Sequence, residues 1–268
     1  MAGGTRKGAG IDPILARSPA MFRAFGWYLH WYFYRNFDAV RISRAGWPDL
    51  PPGRPVIIYS NHPSWWDPAF FILLSATVVR DRAGFGPMDQ ATLGQYGFME
   101  RLGIFGIDPA TARGAARFME VGLRVLRDPS AAMWITAEGH FTDNRSRPVA
   151  LRPGLAHLAR RVPNAVLVPL AVEYSFWNER KPVALARFGR PVEAGSPRDT
   201  AAWTAVLSAA LEAEMDTLAA ESATRDPALF RKIVSGGSGV GGIYDVWRRS
   251  RAWARGKPAR LSHEARVE

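Results

Sequence analysis

Pro55-Val56-Ile57-Ile58-Tyr59-Ser60-Asn61-His62-Pro63-Ser64-Trp65-Trp66-Asp67-Pro68-Ala69-Phe70 decides the reading of this chain. Residues 55–60 are short, apolar and β-branched, and polar residues end them, which predicts a buried strand. Asp67-Pro68 predicts a helix start, because Asp is a strong N-cap and Pro suits the first helical position. His62 therefore falls in a strand-to-helix loop and Asp67 at the mouth of the helix. At that spacing the two side chains are able to hydrogen-bond. The carboxylate then fixes the ring tautomer and favours the imidazolium, which equips the pair to take a proton from a hydroxyl near neutral pH. The bland alternative leaves Asp67 as a cap and His62 as a polar loop residue.

Outward from this stretch the chain alternates. Helices are expected over 67–79, 90–101, 111–127, 154–162 and 201–221, and strands over 132–136, 165–173 and 183–188. Such alternation predicts an α/β fold, with a mixed, partly parallel sheet covered by helices. Met21, Phe22, Phe25, Trp27, Tyr28, Leu29, Trp31, Tyr32, Phe33, Tyr34 and Phe37 crowd residues 20–37, with Arg23, His30 and Arg35 among them. This predicts an N-terminal aromatic helix that either lies in a membrane interface or packs on the sheet. The organisation expected is a flexible N-terminus over 1–18, a single catalytic-type domain over 19–234 whose residues 19–40 form the membrane-associating helix, and a glycine-rich turn with a basic tail over 235–268.

Composition narrows the function. There is no Cys, which excludes disulfides, thiol catalysis and Cys-ligated metal. Lys and Arg number 35 against 24 acids, a net charge of +11, so an anionic partner is expected. No zinc-finger, K-homology or aromatic-basic RNA-binding signature accompanies the charge, so nucleic acid is not expected. An anionic membrane surface fits better, and residues 248–260 concentrate arginines that would meet it. No run of about 18 apolar residues predicts a transmembrane helix, and no apolar signal core follows the start. The expected place is peripheral, on the cytoplasmic face of the cell membrane. Gly237-x-Gly239-x-x-Gly242 copies a dinucleotide fingerprint in letters only, since 26 residues cannot complete that fold.

Two further blocks bear on chemistry. Trp134-Ile-Thr-Ala-Glu138-Gly139-His140-Phe141-Thr142-Asp143-Asn-Arg145 puts a carboxylate at the end of an apolar strand, where open α/β sheets bind ligands. Ala165-Val-Leu-Val-Pro169-Leu-Ala-Val172 carries a proline inside a strand, which prefers an edge or a bulge.

In order and spacing, Asn61-His62-x-Ser64-x-x-Asp67, Glu138-Gly139 and Val168-Pro169-Leu170 resemble the glycerol-phosphate and lysophospholipid acyltransferases over roughly 55–175. The resemblance implies His62 and Asp67 as the catalytic pair, with Asn61, Ser64, Glu138, Gly139 and His140 around the substrates. It implies no metal and no bound cofactor, only acyl-CoA or acyl carrier protein as co-substrate and a membrane lipid as acceptor. Two arginines expected to meet an acceptor phosphate are displaced: Pro109 and Phe141 stand in their places. Arg113, Arg145 or Arg147 would then replace them, or the acceptor carries no simple phosphate, as in an amino-acid lipid precursor, a glycolipid or a glycosylated carotenoid. Other classes consistent with the residues are a lipid esterase or thioesterase and a non-catalytic membrane-binding protein.

Overall fold

The computed structural model describes residues 12–194 and 198–236. The fold grows from a central strand, β2 (Val56–Ser60), buried on both faces as its apolar run predicts. Before it come α1 (Pro13–Ala16), α2 (Pro19–Asn36) and β1 (Ala39–Ser43). After it come α3 (Asp67–Thr77), β3 (Ala83–Asp89), α4 (Gln90–Gln95), a 3-10 turn over Gly97–Leu102, β4 (Ile104–Ile107), α5 (Ala112–Val125) and β5 (Ala131–Thr136). The chain continues through α6 (Pro153–Arg161), β6 (Val166–Ser175), β7 (Val183–Phe188), β8 (Val192–Glu193), α7 (Thr200–Thr224) and β9 (Phe230–Ser235).

The strands form one mixed sheet in the order β4-β3-β5-β2-β6-β7-β1-β9, with β8 beside β6. Strand β2 is parallel to both neighbours, and Ser60 aligns with Thr136 of β5 and Leu170 of β6. The carboxyl ends of β2 and β5 are thereby brought to one edge of the sheet, and β6 runs on past them in the same direction to Ser175. Alternate residues face opposite layers. Ile57 and Tyr59 join the core beneath α5, α6 and α7, whereas Val56 and Ile58 join the core beneath α2 and α3.

Pro169 finds its place in this topology. It lies where β6 passes from pairing with β8 (through Leu167) to pairing with β7 (from Leu170). Its carbonyl accepts from Gly189 N on that side, so the missing N–H falls in a gap of the ladder.

Several expectations need correction. Residues 12–18 are not loose. Asp12 caps α1 and pairs with Arg124 at 2.6 Å, and Arg17 Nε donates to Gly84 O. The helix expected over 90–101 breaks at Tyr96 into α4 and the 3-10 turn, consistent with glycines at 94 and 97. Strands β1, β3, β4, β8 and β9 lie outside the segments whose pattern predicts strands. Strand β3, Ala-Gly-Phe-Gly-Pro-Met-Asp, has little strand propensity and is held by its neighbours. Helix α2 packs one face of the aromatic segment on the core and leaves the other open. Phe22, Gly26, Leu29 and Phe33 are buried, while Trp27, Tyr28, Trp31 and Tyr34 face outward. The expected basic tail and the glycine fingerprint lie outside the described residues.

Candidate active site

At the end of β2 the backbone leaves the sheet, and Asn61 manages the departure. Its Oδ1 accepts from Val172 N and its Nδ2 donates to Val172 O, both at 2.9 Å, so the amide replaces the next rung toward β6. The same Nδ2 donates to Asn144 Oδ1 at 2.9 Å. Asn61 is buried and its amide is spent on the fold.

His62 is tied on both backbone sides to the loop after β5. Its N–H donates to Glu138 Oε2 at 2.7 Å, and its carbonyl accepts from Thr142 N at 3.0 Å. Glu138 is buried, and the parallel register carries it there: residue 62 is two beyond Ser60, and residue 138 is two beyond Thr136. Gly139 follows at φ 72°, a left-handed turn residue, with the Arg152 side chain lying across it.

The His62 ring meets Asp67, with Nδ1 and Oδ2 2.6 Å apart. The carboxylate is fully buried, and the imidazole side chain is 15 % exposed. Asp67 opens α3 but does not cap it. The cap position is Trp66, with no side-chain bond, and the carboxylate turns back into the loop instead. There Oδ2 also accepts from Ser64 N at 3.1 Å, and Oδ1 accepts from the Tyr174 hydroxyl at 2.8 Å. An ionised carboxylate is acceptor-only, which makes Nδ1 the protonated ring nitrogen and leaves the lone pair on Nε2. Burial, and then the negative charge of Asp67, hold the Tyr174 phenol well above its usual range, so it stays a donor.

Around this pair the remaining predicted residues take various places. The Phe141 ring lies 4.4 Å from the His62 ring and is exposed, as is Trp65. Ser64 Oγ accepts from Trp66 N at 3.3 Å, a bond that shapes its own loop. His140 turns its Nδ1 to Glu138 O at 3.0 Å. Arg145 grips Asp143 through Nε and Nη2, and this bond holds the Asp143 carboxyl well below the usual range. Arg147 spans Asp216 of α7 and the carbonyls of Asn144 and Ser146. Arg113 sits exposed in the first turn of α5. Tyr174 is absent from the residues that the sequence motifs point to. Its signal was the parallel register, which brings the end of β6 beside residue 62.

The profile of a family described as acyltransferase matches residues 39–173, the span from β1 into β6. The chain belongs to this acyltransferase family. Seven chains of solved structures match the acyltransferase. Among them is the crystal structure of the 1-acyl-sn-glycerophosphate (LPA) acyltransferase PlsC from Thermotoga maritima, with a TM-score of 0.53 at 13 % identity, covering 75 % of this chain and 79 % of that one. At that identity the likeness establishes a shared fold. No curated protein matches the acyltransferase significantly. Among the described residues no group of three or more His, Cys, Asp or Glu side chains is placed to hold a metal ion. No described helix is long and apolar enough to cross a membrane.

Proposed function

We propose that this acyltransferase moves a fatty acyl group from the thioester of acyl-CoA or acyl carrier protein to a hydroxyl of a membrane lipid. The observation that carries the reading is the 2.6 Å contact between His62 and the buried Asp67 at the carboxyl edge of the sheet. His62 Nε2 takes the proton as the acceptor oxygen attacks the thioester carbonyl. The tetrahedral adduct collapses, the C–S bond breaks, and the departing sulfur takes the proton back from the imidazolium. Asp67 holds the ring and balances its charge throughout. The thioester supplies the driving force, so the reaction as proposed uses neither metal nor nucleotide.

A lipid acceptor is supported by the outer face of α2. Trp27 is 87 % and Trp31 54 % exposed, with Arg23 and Arg35 beside them. Aromatic contacts run from Tyr28 through Tyr32 to Trp66, next to Trp65 on the His62 loop, so the face and the site form one surface. This favours peripheral attachment to an anionic membrane, with the site facing the lipid.

The acceptor proposed by default is lysophospholipid-like, since the PlsC of similar fold is an LPA acyltransferase. A second acceptor class is favoured by Phe141 against His62 and by the ion pairs that occupy Arg145 and Arg147. It is a hydroxyl on a lipid without a phosphate, as in an amino-acid lipid precursor, a glycolipid or a glycosylated carotenoid.

The test incubates purified protein with labelled acyl-CoA or acyl carrier protein and a membrane lipid extract, and identifies the new ester by mass spectrometry. His62→Ala and Asp67→Ala are expected to lower transfer by about 10²–10⁴ while the fold is kept. Undiminished transfer by His62→Ala would overturn the mechanism. Donor hydrolysis indifferent to lipid would identify a thioesterase instead.

A further inference from the structure

We infer that Tyr174 is a positioning residue for acyl transfer: its hydroxyl occupies the outer oxygen of Asp67 and so sets how strongly that carboxylate holds and charges His62. The inference rests on the proposed role of the His62–Asp67 pair and extends it by one residue.

Three donors converge on Asp67 from two places in the fold, the loop after β2 and strand β6. His62 Nδ1 and Ser64 N share Oδ2 from the loop, and Tyr174 of β6 alone takes Oδ1 at 2.8 Å. The Asp67 side chain is fully buried, so in this structure the phenol takes the place that solvent would have on Oδ1. The ring of Tyr174 is fixed between Phe37 and Phe70, at 6.1 and 6.0 Å between centroids, so its O–H is aimed by packing. Asn61 pins Val172, two residues before it, which locks this end of β6 to the loop that carries His62.

The chemistry follows from charge. During transfer His62 becomes an imidazolium while Asp67 stays anionic. A phenol on Oδ1 draws negative charge away from Oδ2 and moderates the pull on the ring. Without that donor the buried carboxylate is solvated less and attracts the imidazolium more strongly, so the ring becomes a base at higher pH only. The orientation of the carboxylate is also lost, and with it the aim of Nε2. Among the described residues, the other titratable side chain hydrogen-bonded to residue 62 is Glu138, which takes the backbone N–H and leaves the ring to Asp67.

The test compares Tyr174→Phe with wild type in the acyl-transfer assay across pH, with thermal unfolding as the control for folding. The expected result is a fall in kcat of about tenfold or more, as for a lost hydrogen bond to a charged group. KM stays within about twofold, and the acid limb of the kcat/KM profile moves to higher pH. Site-specific 3-fluorotyrosine at 174 keeps the shape and makes the phenol a stronger donor, so it is expected to move the same limb to lower pH. Limbs that coincide in wild type, Tyr174→Phe and fluorotyrosine protein would overturn the inference, as would a loss of activity carried by KM alone. If Tyr174→Phe fails to fold, the fluorotyrosine limb decides alone. His62→Ala run alongside separates the two ideas: its retained activity defeats the proposed mechanism, whereas an inactive His62→Ala with an unmoved Tyr174 series defeats only the role of Tyr174.

Discussion

At the scale of single residues, the site is held by groups whose work is done before any substrate arrives. Asn61 substitutes for a backbone rung, Glu138 caps the His62 N–H, and Gly139 turns the chain at φ 72°. A Cβ at 139 would meet Arg152 Nε at 2.9 Å as well as incurring the left-handed backbone strain. Gly139→Ala is therefore expected to destabilise the protein by about 1–2 kcal/mol, read as a lowered midpoint in urea. An unchanged midpoint would mean that the turn relaxes. The His62–Asp67 spacing was legible in the sequence, but the use of Asp67 was half legible. Its carboxylate was expected to cap α3, and instead the tertiary contacts with Tyr174 and Ser64 turn it inward.

At the scale of elements, α2 has one packed face and one open face. Its inner face packs on α3, where Gly26 approaches Ala76 so closely that a Cβ at 26 would lie 2.8 Å from the Ala76 Cβ. Phe33 is fully buried, and Phe33→Ala is expected to cost about 3–5 kcal/mol in chemical denaturation. The outer face is predicted to behave oppositely. Trp27→Ala with Trp31→Ala should leave stability within about 0.5 kcal/mol per site. The same pair should weaken binding to anionic vesicles by about tenfold or more, with added salt weakening the wild type too. Vesicle binding equal to wild type would remove α2 from the membrane proposal. Periodicity could not separate the two faces, because aromatic residues occupy both.

At the scale of the whole molecule, the sheet also carries buried charge. Burial raises the Glu173 carboxyl above its ordinary 4.5, despite the Ser222 hydroxyl donated to it at 2.6 Å. Because the folded value lies above the unfolded one, the favourable contribution exists below pH 4.5 and is lost as pH rises through the raised value. Glu173→Gln keeps an acceptor for Ser222 and removes the titration. The variant is expected to gain stability relative to wild type progressively from about pH 4.5 toward neutrality, measured by denaturation at stepped pH. A difference that does not change with pH would contradict the assignment.

The sequence by itself determined the α/β class, the central strand and the sites of His62, Glu138 and Pro169. Those signals are local: a β-branched run, an Asp-Pro at a helix start, a proline where a strand should be. It did not determine β3, β4 or β9, whose residues become strands because neighbours in the sheet supply their hydrogen bonds. Nor did it show that Tyr174 stands over Asp67, 107 residues away in the chain, or that Arg145 and Arg147 are already engaged. Those outcomes depend on strand order and register, which only packing of the whole sheet fixes, since a side chain's partner is set by which strand lies beside it and in what alignment.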